Sequence, residues 1–309
     1  MSTLVCVGEP LVALSATGGS QLELRPWLAG AEVNVAVGAS RLGARPAVVG
    51  RVGDDVLGRW IVEQLVREGV DGRHVVVDPD RPTGLFVKEV DRDGEPTRRY
   101  YRGGSAGSHL AAGDLPERLL VDAGAVVLSG LTALLSSDAE GAGRRALEIA
   151  AAAAGLPVLD ANLRPGLPGS TRGAEIVGSL LPLARVVLGG EAELAAIAEW
   201  AGAGAGRGRK ELAERIAALH GRDPLVVVRH RGGAGALCGG EWVERVAPPI
   251  VAVVDASGAG DAFTAGFVVA RLRHAGIAEC LDDGLRCAVV QVATPGDCDG
   301  VPRLAGSPA

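Results

Sequence analysis

The segment 255–267, DASGAGDAFTAGF, constrains the fold most, because a glycine turn here joins the apolar run 251–254 to an apolar helix. Gly258, Ala259 and Gly260 carry little or no side chain, so their backbone N–H groups can approach an anion closely. The following helix directs the positive end of its dipole to the same place. The pattern predicts a strand at 251–254, then an anion-binding turn, then a helix.

Two carboxylates accompany this turn. Asp261 falls in the first helical turn, where a carboxylate could orient and deprotonate an attacking hydroxyl while the amides stabilise charge on a transferred phosphoryl group. Asp255 is expected to help arrange the turn. An ordinary capped helix has the same features, and the segment alone leaves both interpretations open. The chain has no GxxxxGK[ST] P-loop, and the turn is not GxGxxG.

The segment resembles the C-terminal signature of the ribokinase-like (PfkB) carbohydrate kinases, D-T-x-G-A-G-D, with Ala256 in place of the usual Thr. Residues 30–58 resemble the second signature of that family, near the other end of the chain. There Gly30 allows the backbone to bend close to a ligand, and Asn34 offers donors and acceptors to sugar hydroxyls. A polar residue at a helix N-terminus is the alternative explanation of Asn34.

The 309 residues suffice for one large α/β domain, and strand-like runs alternate with amphipathic segments. We therefore expect a doubly wound, mainly parallel sheet flanked by helices, with the ribokinase-like domain covering 1–309. Strands are predicted at 4–7, 47–50, 125–128, 157–160, 185–188 and 225–229, and helices at 57–68, 139–153, 191–200 and 210–220.

One region breaks this alternation. Residues 84–102 are typical of a hairpin with a turn at Asp93 and Gly94, and 11–24 contains another strand-like run. The family resemblance implies that segments at about 11–28 and 84–103 form a small β-sheet lid over the sugar. Such a lid excludes water from the reaction, and its uncovered face favours a homodimer formed through the lid.

Three segments resemble the 2-keto-3-deoxygluconate kinase branch of the family: 8–14 (GEPLVAL), 98–106 (RRYYRGGSA) and 160–165 (DANLRP). The resemblance implies that Arg102 and Arg164 hold the substrate carboxylate, which suits the planar guanidinium. A solvated hairpin residue is the alternative explanation of Arg102.

Three more side chains belong to the predicted sugar site. Tyr100 and Tyr101 would add a ring face and a hydroxyl, and strand alternation allows only one of them to face the substrate. Glu9 stands near the position where many ribose and fructose kinases have an Asp, and it would bind a sugar hydroxyl or cap the first strand.

The nucleotide side is predicted from two segments. Residues 231–237 (RGGAGAL) resemble the family's GxxGA turn near the nucleotide, which involves Gly232 and Gly235, and Arg229 or Arg231 could approach the phosphates. In 186–194 the family's NxxE motif is partial, because Gly190 replaces Asn while Glu193 keeps the acid. The resemblance implies that Glu193 helps to organise Mg²⁺ through water.

Composition excludes other classes of protein. A net charge of −6 disfavours nucleic-acid and membrane-surface partners, and the start of the sequence shows no secretory leader, so we expect a cytoplasmic location. The five cysteines lack metal-ligand spacing.

The sequence thus predicts an ATP- and Mg²⁺-dependent kinase for 2-keto-3-deoxygluconate or a related acidic keto sugar, and leaves the need for a monovalent cation open. A kinase for fructose, ribose or 5-dehydro-2-deoxygluconate is the alternative within the family. A catalytically silent sugar-binding regulator on the same fold is the alternative outside catalysis.

Overall fold

A computed structural model describes residues 3–17, 20–90, 96–163, 172–250 and 252–303. Its larger sheet contains β1 (Thr3–Val7), β4 (Arg45–Gly53), β5 (Asp71–Asp78), β8 (Ala125–Ser129), β9 (Leu156–Asp160), β10 (Val186–Gly190), β11 (Leu225–His230), β12 (Gly233–Cys238) and β13 (Glu241–Val246). These strands lie in the order β13-β12-β11-β10-β9-β8-β1-β4-β5. The seven from β5 to β11 are parallel, and β12 and β13 are antiparallel additions at one edge.

Helices cover both faces of this sheet. They are α1 (Ala31–Arg41), α2 (Val56–Arg67), α3 (Glu117–Val121), α4 (Gly130–Ala133), α5 (Ser137–Ala152), α6 (Gly173–Leu180), α7 (Glu191–Trp200), α8 (Arg209–His220), α9 (Ala259–Leu272) and α10 (Ile277–Val292). Successive strand residues face opposite sides, so Leu4 and Cys6 pack with α1, α2, α9 and α10, whereas Val5 and Val7 pack with α3 and α5. The predicted α/β fold, with helices on both faces of a mainly parallel sheet, is confirmed.

Apart from the strand at 251–254, the predicted strands and helices lie within observed elements or within one residue of them, but three strands of the larger sheet, β5, β12 and β13, were not predicted. β12 (GAGALC) has few of the β-branched residues that signal a strand, and β13 alternates charged and apolar residues at an exposed edge.

The strand predicted at 251–254 is wrong for its described residues, 252–254. The Val254 N–H donates to the Val292 carbonyl at the end of α10 at 2.8 Å, so this segment lies against a helix end and has no strand partner there.

The second sheet is the lid, formed by β2 (Leu11–Thr17), β3 (Ser20–Ala29), β6 (Leu85–Val90) and β7 (Pro96–Tyr101) in the order β3-β2-β6-β7. The predicted hairpin turn at Asp93 and Gly94 lies outside the described residues. β1 leads into β2 through 8–10, and β3 runs directly into α1. The predicted site residues Glu9, Gly30 and Asn34 therefore flank the junction between the two sheets.

No helix in the described ranges is long and apolar enough to cross a membrane.

Candidate active site

The N-terminus of α9 is shaped by Gly258. Its φ is +71°, and a Cβ atom there would overlap the carbonyl oxygen of Asp297, so both conformation and space require glycine. Gly260 lies inside the helix, where the nearest atom to an added Cβ is Arg229 Nη1 at 3.4 Å. Within the protein, the structural need for glycine in this turn therefore falls on Gly258. Ala259 and Gly260, the first two residues of α9, line a cavity, and N–H groups at a helix start have no acceptor within the helix, which suits an anion.

Asp261 lies in the first turn of α9 and is 4% exposed. Asn34 Nδ2, from α1, donates a 2.7 Å hydrogen bond to its Oδ2 atom. Asn34 Oδ1 is buried and accepts no hydrogen bond from any described residue. Asn34 is thus not a solvated residue at a helix start, because it orients the Asp261 carboxylate and keeps one acceptor for a ligand.

Arg229 anchors the same helix turn to the sheet. Its guanidinium donates two parallel hydrogen bonds to Asp160, at 2.7 and 2.6 Å, and further bonds to the Gly260 carbonyl and the Thr264 hydroxyl. Burial opposes the charge, but Asp160 and other carboxylates outweigh it and raise the pKa of Arg229. Arg229 lines the cavity in which we expect the nucleotide to bind, and its two bonds to Asp160 hold the guanidinium in place.

That cavity has a volume of about 320 Å³, and its lining includes Ala259, Gly260, Asp261, His230 and Gly233. The described residues that line it do not include the predicted Arg231, Gly232 or Gly235. Arg231 and Gly232 are exposed in the turn between β11 and β12.

Gly235 is buried, and an added Cβ would overlap the Trp242 ring, so this glycine makes room for core packing. Gly235 is not among the described residues that line the cavity, and its nucleotide contact stays a prediction. His230 and Gly233 were not predicted from the sequence, because no residue pattern marks which residues at the end of β11 and the start of β12 face the cavity.

Glu193 also lines this cavity. Its Oε2 atom accepts the Gly190 N–H at 2.9 Å and lies 3.8 Å from Arg229 Nη2. Within the described ranges no group of three His, Cys, Asp or Glu residues could hold a metal ion directly. A role of Glu193 through metal-bound water stays a prediction.

A second, smaller cavity of about 30 Å³ lies under the lid, and its lining includes Gly30, Asn34, Tyr100, Arg102 and Asp261. Tyr100 packs on Phe86 with ring centroids 5.2 Å apart. Tyr101 is 57% exposed on the opposite face of β7, so of the two predicted tyrosines it is Tyr100 that lines this cavity.

Arg102 is buried, at 4% exposure, and pairs through Nη2 with Glu9. Its Nε and Nη1 atoms are buried and donate to no described residue. The interpretation of Arg102 as a solvated hairpin residue is therefore wrong. Glu9 is 1% exposed and also accepts a 2.5 Å bond from the Ser105 hydroxyl, so it orients Arg102 and is not among the described residues that line the cavity under the lid. Arg164 lies outside the described residues.

The lid is closed onto the glycine turn by two basic side chains that were not predicted. Arg98 Nη2, from β7, donates to the Ser257 hydroxyl at 2.6 Å and lines the sugar cavity. Lys88 Nζ, from β6, lies 2.6 Å from Asp255 Oδ2 and 2.5 Å from Asp297 Oδ1. The only signal in the sequence was their position in the strands of the lid.

Glu32 is a further buried carboxyl beneath the site. Its Oε1 atom accepts the Ser129 N–H at 2.9 Å and the Thr132 hydroxyl at 2.7 Å. Burial raises the pKa of Glu32 to about 7, with a smaller contribution from the Asp261 charge in the same direction. Nothing in the sequence distinguishes Glu32, since an acid between Ala31 and Val33 resembles an ordinary helix N-terminus.

A family model described as pfkB family carbohydrate kinase matches residues 1–304. The chain belongs to the pfkB family of carbohydrate kinases. The 2-dehydro-3-deoxygluconokinase of Bacillus subtilis is 30% identical over 283 residues, which cover 89% of this chain and 83% of the relative. The fructokinase of Klebsiella pneumoniae is 33% identical over 274 residues, or 87% of this chain and 84% of the relative.

A 2-dehydro-3-deoxygluconokinase of Thermoproteus tenax is 39% identical over 173 residues, and that match spans about half of each protein, 54% of this chain and 52% of the relative. Among solved structures, the fructokinase of Vibrio cholerae O395 with bound fructose, ADP and calcium is similar, with a TM-score of 0.84, 26% identity and coverage of 98% of this chain and 96% of that chain. These pfkB relatives include both acidic-sugar and neutral-sugar kinases by name.

Glu32→Gln should change how stability depends on pH. The pKa of Glu32 is higher in the folded protein than in the unfolded chain, so binding of a proton by Glu32 favours the folded state at low pH. The wild type loses this contribution to the unfolding free energy as pH rises from about 4.5 to about 7. Gln keeps the acceptor without the charge. We expect the unfolding free energy of the variant, relative to wild type, to rise by about 3 kcal/mol over that range. Denaturation curves at each pH measure it, and the exposed Glu63→Gln is the control. Parallel pH profiles for wild type and Glu32→Gln would contradict the assignment.

Gly258→Ala should destabilise the turn, because Ala resists a positive φ and its Cβ meets the Asp297 carbonyl. We expect a loss of about 1–3 kcal/mol of unfolding free energy. Gly260→Ala, two residues away, should stay within about 0.5 kcal/mol of wild type. Urea denaturation of both variants tests this, and equal losses would show that the turn does not depend on Gly258.

Proposed function

We propose that this protein transfers the γ-phosphoryl group of ATP to a hydroxyl of an acidic keto sugar, most consistently 2-keto-3-deoxygluconate. The observation that carries this proposal is the position of Asp261, which lines both the larger cavity and the cavity under the lid. A carboxylate at the boundary of two cavities can take a proton from an acceptor in one while the phosphoryl group arrives from the other.

The surrounding groups suit this reaction. Asn34 orients the Asp261 carboxylate, and the amides of Ala259 and Gly260, which line the larger cavity, would stabilise charge on the transferred group. The Arg229–Asp160 pair fixes the helix turn that carries these amides. Asp255 Oδ1 accepts the Ser257 N–H at 2.8 Å, which supports its proposed part in shaping the turn.

The larger cavity fits a nucleotide with a hydrated divalent ion. It combines a helix N-terminus with the Glu193 carboxylate and is of the size usual for small-molecule sites. Mg²⁺ keeps much of its water and needs few protein ligands, and when bound it would neutralise phosphate charge. Glu193 would hold it through water, and Ala259 and Gly260 would bind phosphate oxygens.

An acidic substrate is favoured by the charge under the lid. Arg102 presents two unbonded donors from a buried guanidinium, and Arg98 adds a second cation at the same cavity. A neutral sugar gives such groups no charged partner. The family resemblance adds Arg164. Fructose, ribose or 5-dehydro-2-deoxygluconate remains the alternative acceptor, and the proposal includes a cytoplasmic homodimer formed through the lid.

Asp261→Asn should lower kcat by roughly 10² to 10⁴-fold with little change in KM for ATP, because general base catalysis contributes about that much. A coupled assay for ADP release with 2-keto-3-deoxygluconate measures it. The exposed Asp122→Asn is the control and should retain wild-type turnover. Near wild-type kcat in Asp261→Asn would show that Asp261 is not the base. A wild type that phosphorylates no sugar would favour the alternative of a catalytically silent sugar-binding regulator.

The second test decides the substrate class. Arg102→Ala alone would leave Glu9 buried without its partner, so we choose the double variant Glu9→Gln/Arg102→Gln. We expect kcat/KM for 2-keto-3-deoxygluconate to fall about 10- to 100-fold while that for fructose changes little, because lost charged hydrogen bonds cost about 1.5–3 kcal/mol. Arg164→Ala should act in the same direction.

Arg99→Gln is the matched control, because Arg99 neighbours Arg98 on β7 but pairs with Glu89 at the surface. Equal losses on both sugars, or a wild type that prefers fructose, would overturn the acidic-sugar assignment and leave phosphoryl transfer standing.

A further inference from the structure

Lys88 connects the lid to the body of the protein through its side-chain ammonium. It belongs to β6, its side chain is 17% exposed, and its Nζ atom lies 2.6 Å from Asp255 Oδ2 and 2.5 Å from Asp297 Oδ1. Both carboxylates lie in the body, on either side of the glycine turn. The ammonium therefore occupies the space between two converging carboxylates and reaches it from a strand of the lid.

The two carboxylates are parts of the turn that would bind the phosphoryl group. Asp255 uses its other oxygen to accept the Ser257 N–H. The backbone carbonyl of Asp297 packs against Gly258, where a side chain would overlap it. A shift of either acidic residue would therefore change the direction of the amides at the start of α9.

The neighbouring carboxylates of Asp255 and Asp297 need a cation between them. Asp255 and Asp297 would repel each other and any phosphate beside them. Burial opposes the charge of Lys88, but the two carboxylates outweigh it and raise the pKa of its ammonium. Burial raises the pKa of Asp297, and Lys88 acts against that rise. The ammonium and its partners thus support one another's charged forms.

The residue type is also informative. Of the 31 lysines and arginines in this chain, only Lys88 and Lys210 are lysines. A compact ammonium can contact one oxygen from each of two carboxylates, whereas the planar guanidinium of Arg favours paired oxygens of a single carboxylate. The geometry between Asp255 and Asp297 suits lysine.

We propose that Lys88 is a positioning residue for phosphoryl transfer, a tethered cation that enters between Asp255 and Asp297 when the lid closes and holds the glycine turn in its anion-binding geometry. The proposal rests on the proposed kinase function. A free cation placed between the same carboxylates would serve the same purpose, so the tethered ammonium makes the wild type independent of a monovalent ion at this place.

The test compares Lys88→Met with Lys210→Met, which removes the other lysine from the exposed face of α8. With any sugar that the wild type phosphorylates, Lys88→Met should lower kcat about 100-fold, because a small misplacement of the reacting groups costs that much. Potassium or ammonium chloride should restore kcat at least about 10-fold in this variant, and tetramethylammonium, which is too large, should not. Wild type and Lys210→Met should respond equally little to all three salts.

A second measurement does not depend on activity. Potassium or ammonium should raise the Tm of Lys88→Met relative to tetramethylammonium at equal ionic strength, and should leave the Tm of wild type and Lys210→Met unchanged. This readout stands even if no sugar is phosphorylated, so it separates the role of Lys88 from the kinase proposal.

Three results would overturn the proposal. They are strong activation of wild type by potassium over tetramethylammonium, unchanged kcat in Lys88→Met, and a loss of kcat that no cation reverses. If Lys88→Met does not fold, the wild-type salt comparison and Lys88→Arg test the proposal instead. Because Arg keeps the positive charge, kcat of Lys88→Arg should fall by less than the roughly 100-fold expected for Lys88→Met.

Discussion

The bidentate pair between Arg229 and Asp160 is the contact on which the rest of the site depends. Asp160 lies at the end of β9 and Arg229 near the end of β11, two strands away in the sheet. The same guanidinium donates to the Gly260 carbonyl, and Thr264 donates to Asp160 at 2.7 Å. The first turn of α9 is thereby fixed to the carboxyl end of the parallel sheet, where open α/β folds place their ligands.

Buried charge in this protein specifies geometry more than it adds stability. Removing Glu9, Arg102, Asp160 or Arg229 from water is costly, and a buried pair roughly offsets that cost only when its geometry is good. What the pairs provide is direction. Glu9 fixes the Arg102 guanidinium at the cavity under the lid, and Asp160 holds Arg229 against α9.

The chain path couples the lid to the catalytic helix pair. β1 continues into the lid, and the lid returns directly into α1, which carries Asn34 and packs on α9. The cavity under the lid has a volume of about 30 Å³, which is small for a sugar, and outward motion of the lid would enlarge it. That motion would separate Arg98 from Ser257 and Lys88 from its carboxylates, and closure would restore both contacts. The state of the lid is thus transmitted to the glycine turn by side-chain contacts as well as by the backbone.

The sequence by itself determined the α/β fold, the lid and the glycine turn, because residues close together in the chain carry both the periodicity of each element and the small side chains of the turn. It also singled out Asp261 and Asn34, which are 227 positions apart in the chain and are joined by a hydrogen bond in the structure. Only the tertiary structure decided which tyrosine faces the cavity, since the phase of β7 depends on how the lid packs. It alone showed that Gly235 leaves space for the Trp242 ring and that Glu9 pairs with Arg102. It alone also showed that Lys88 lies between Asp255 and Asp297. Those are contacts between residues distant in the chain, and no local pattern records them, because charge pairing and packing depend on where the folded backbone places each side chain.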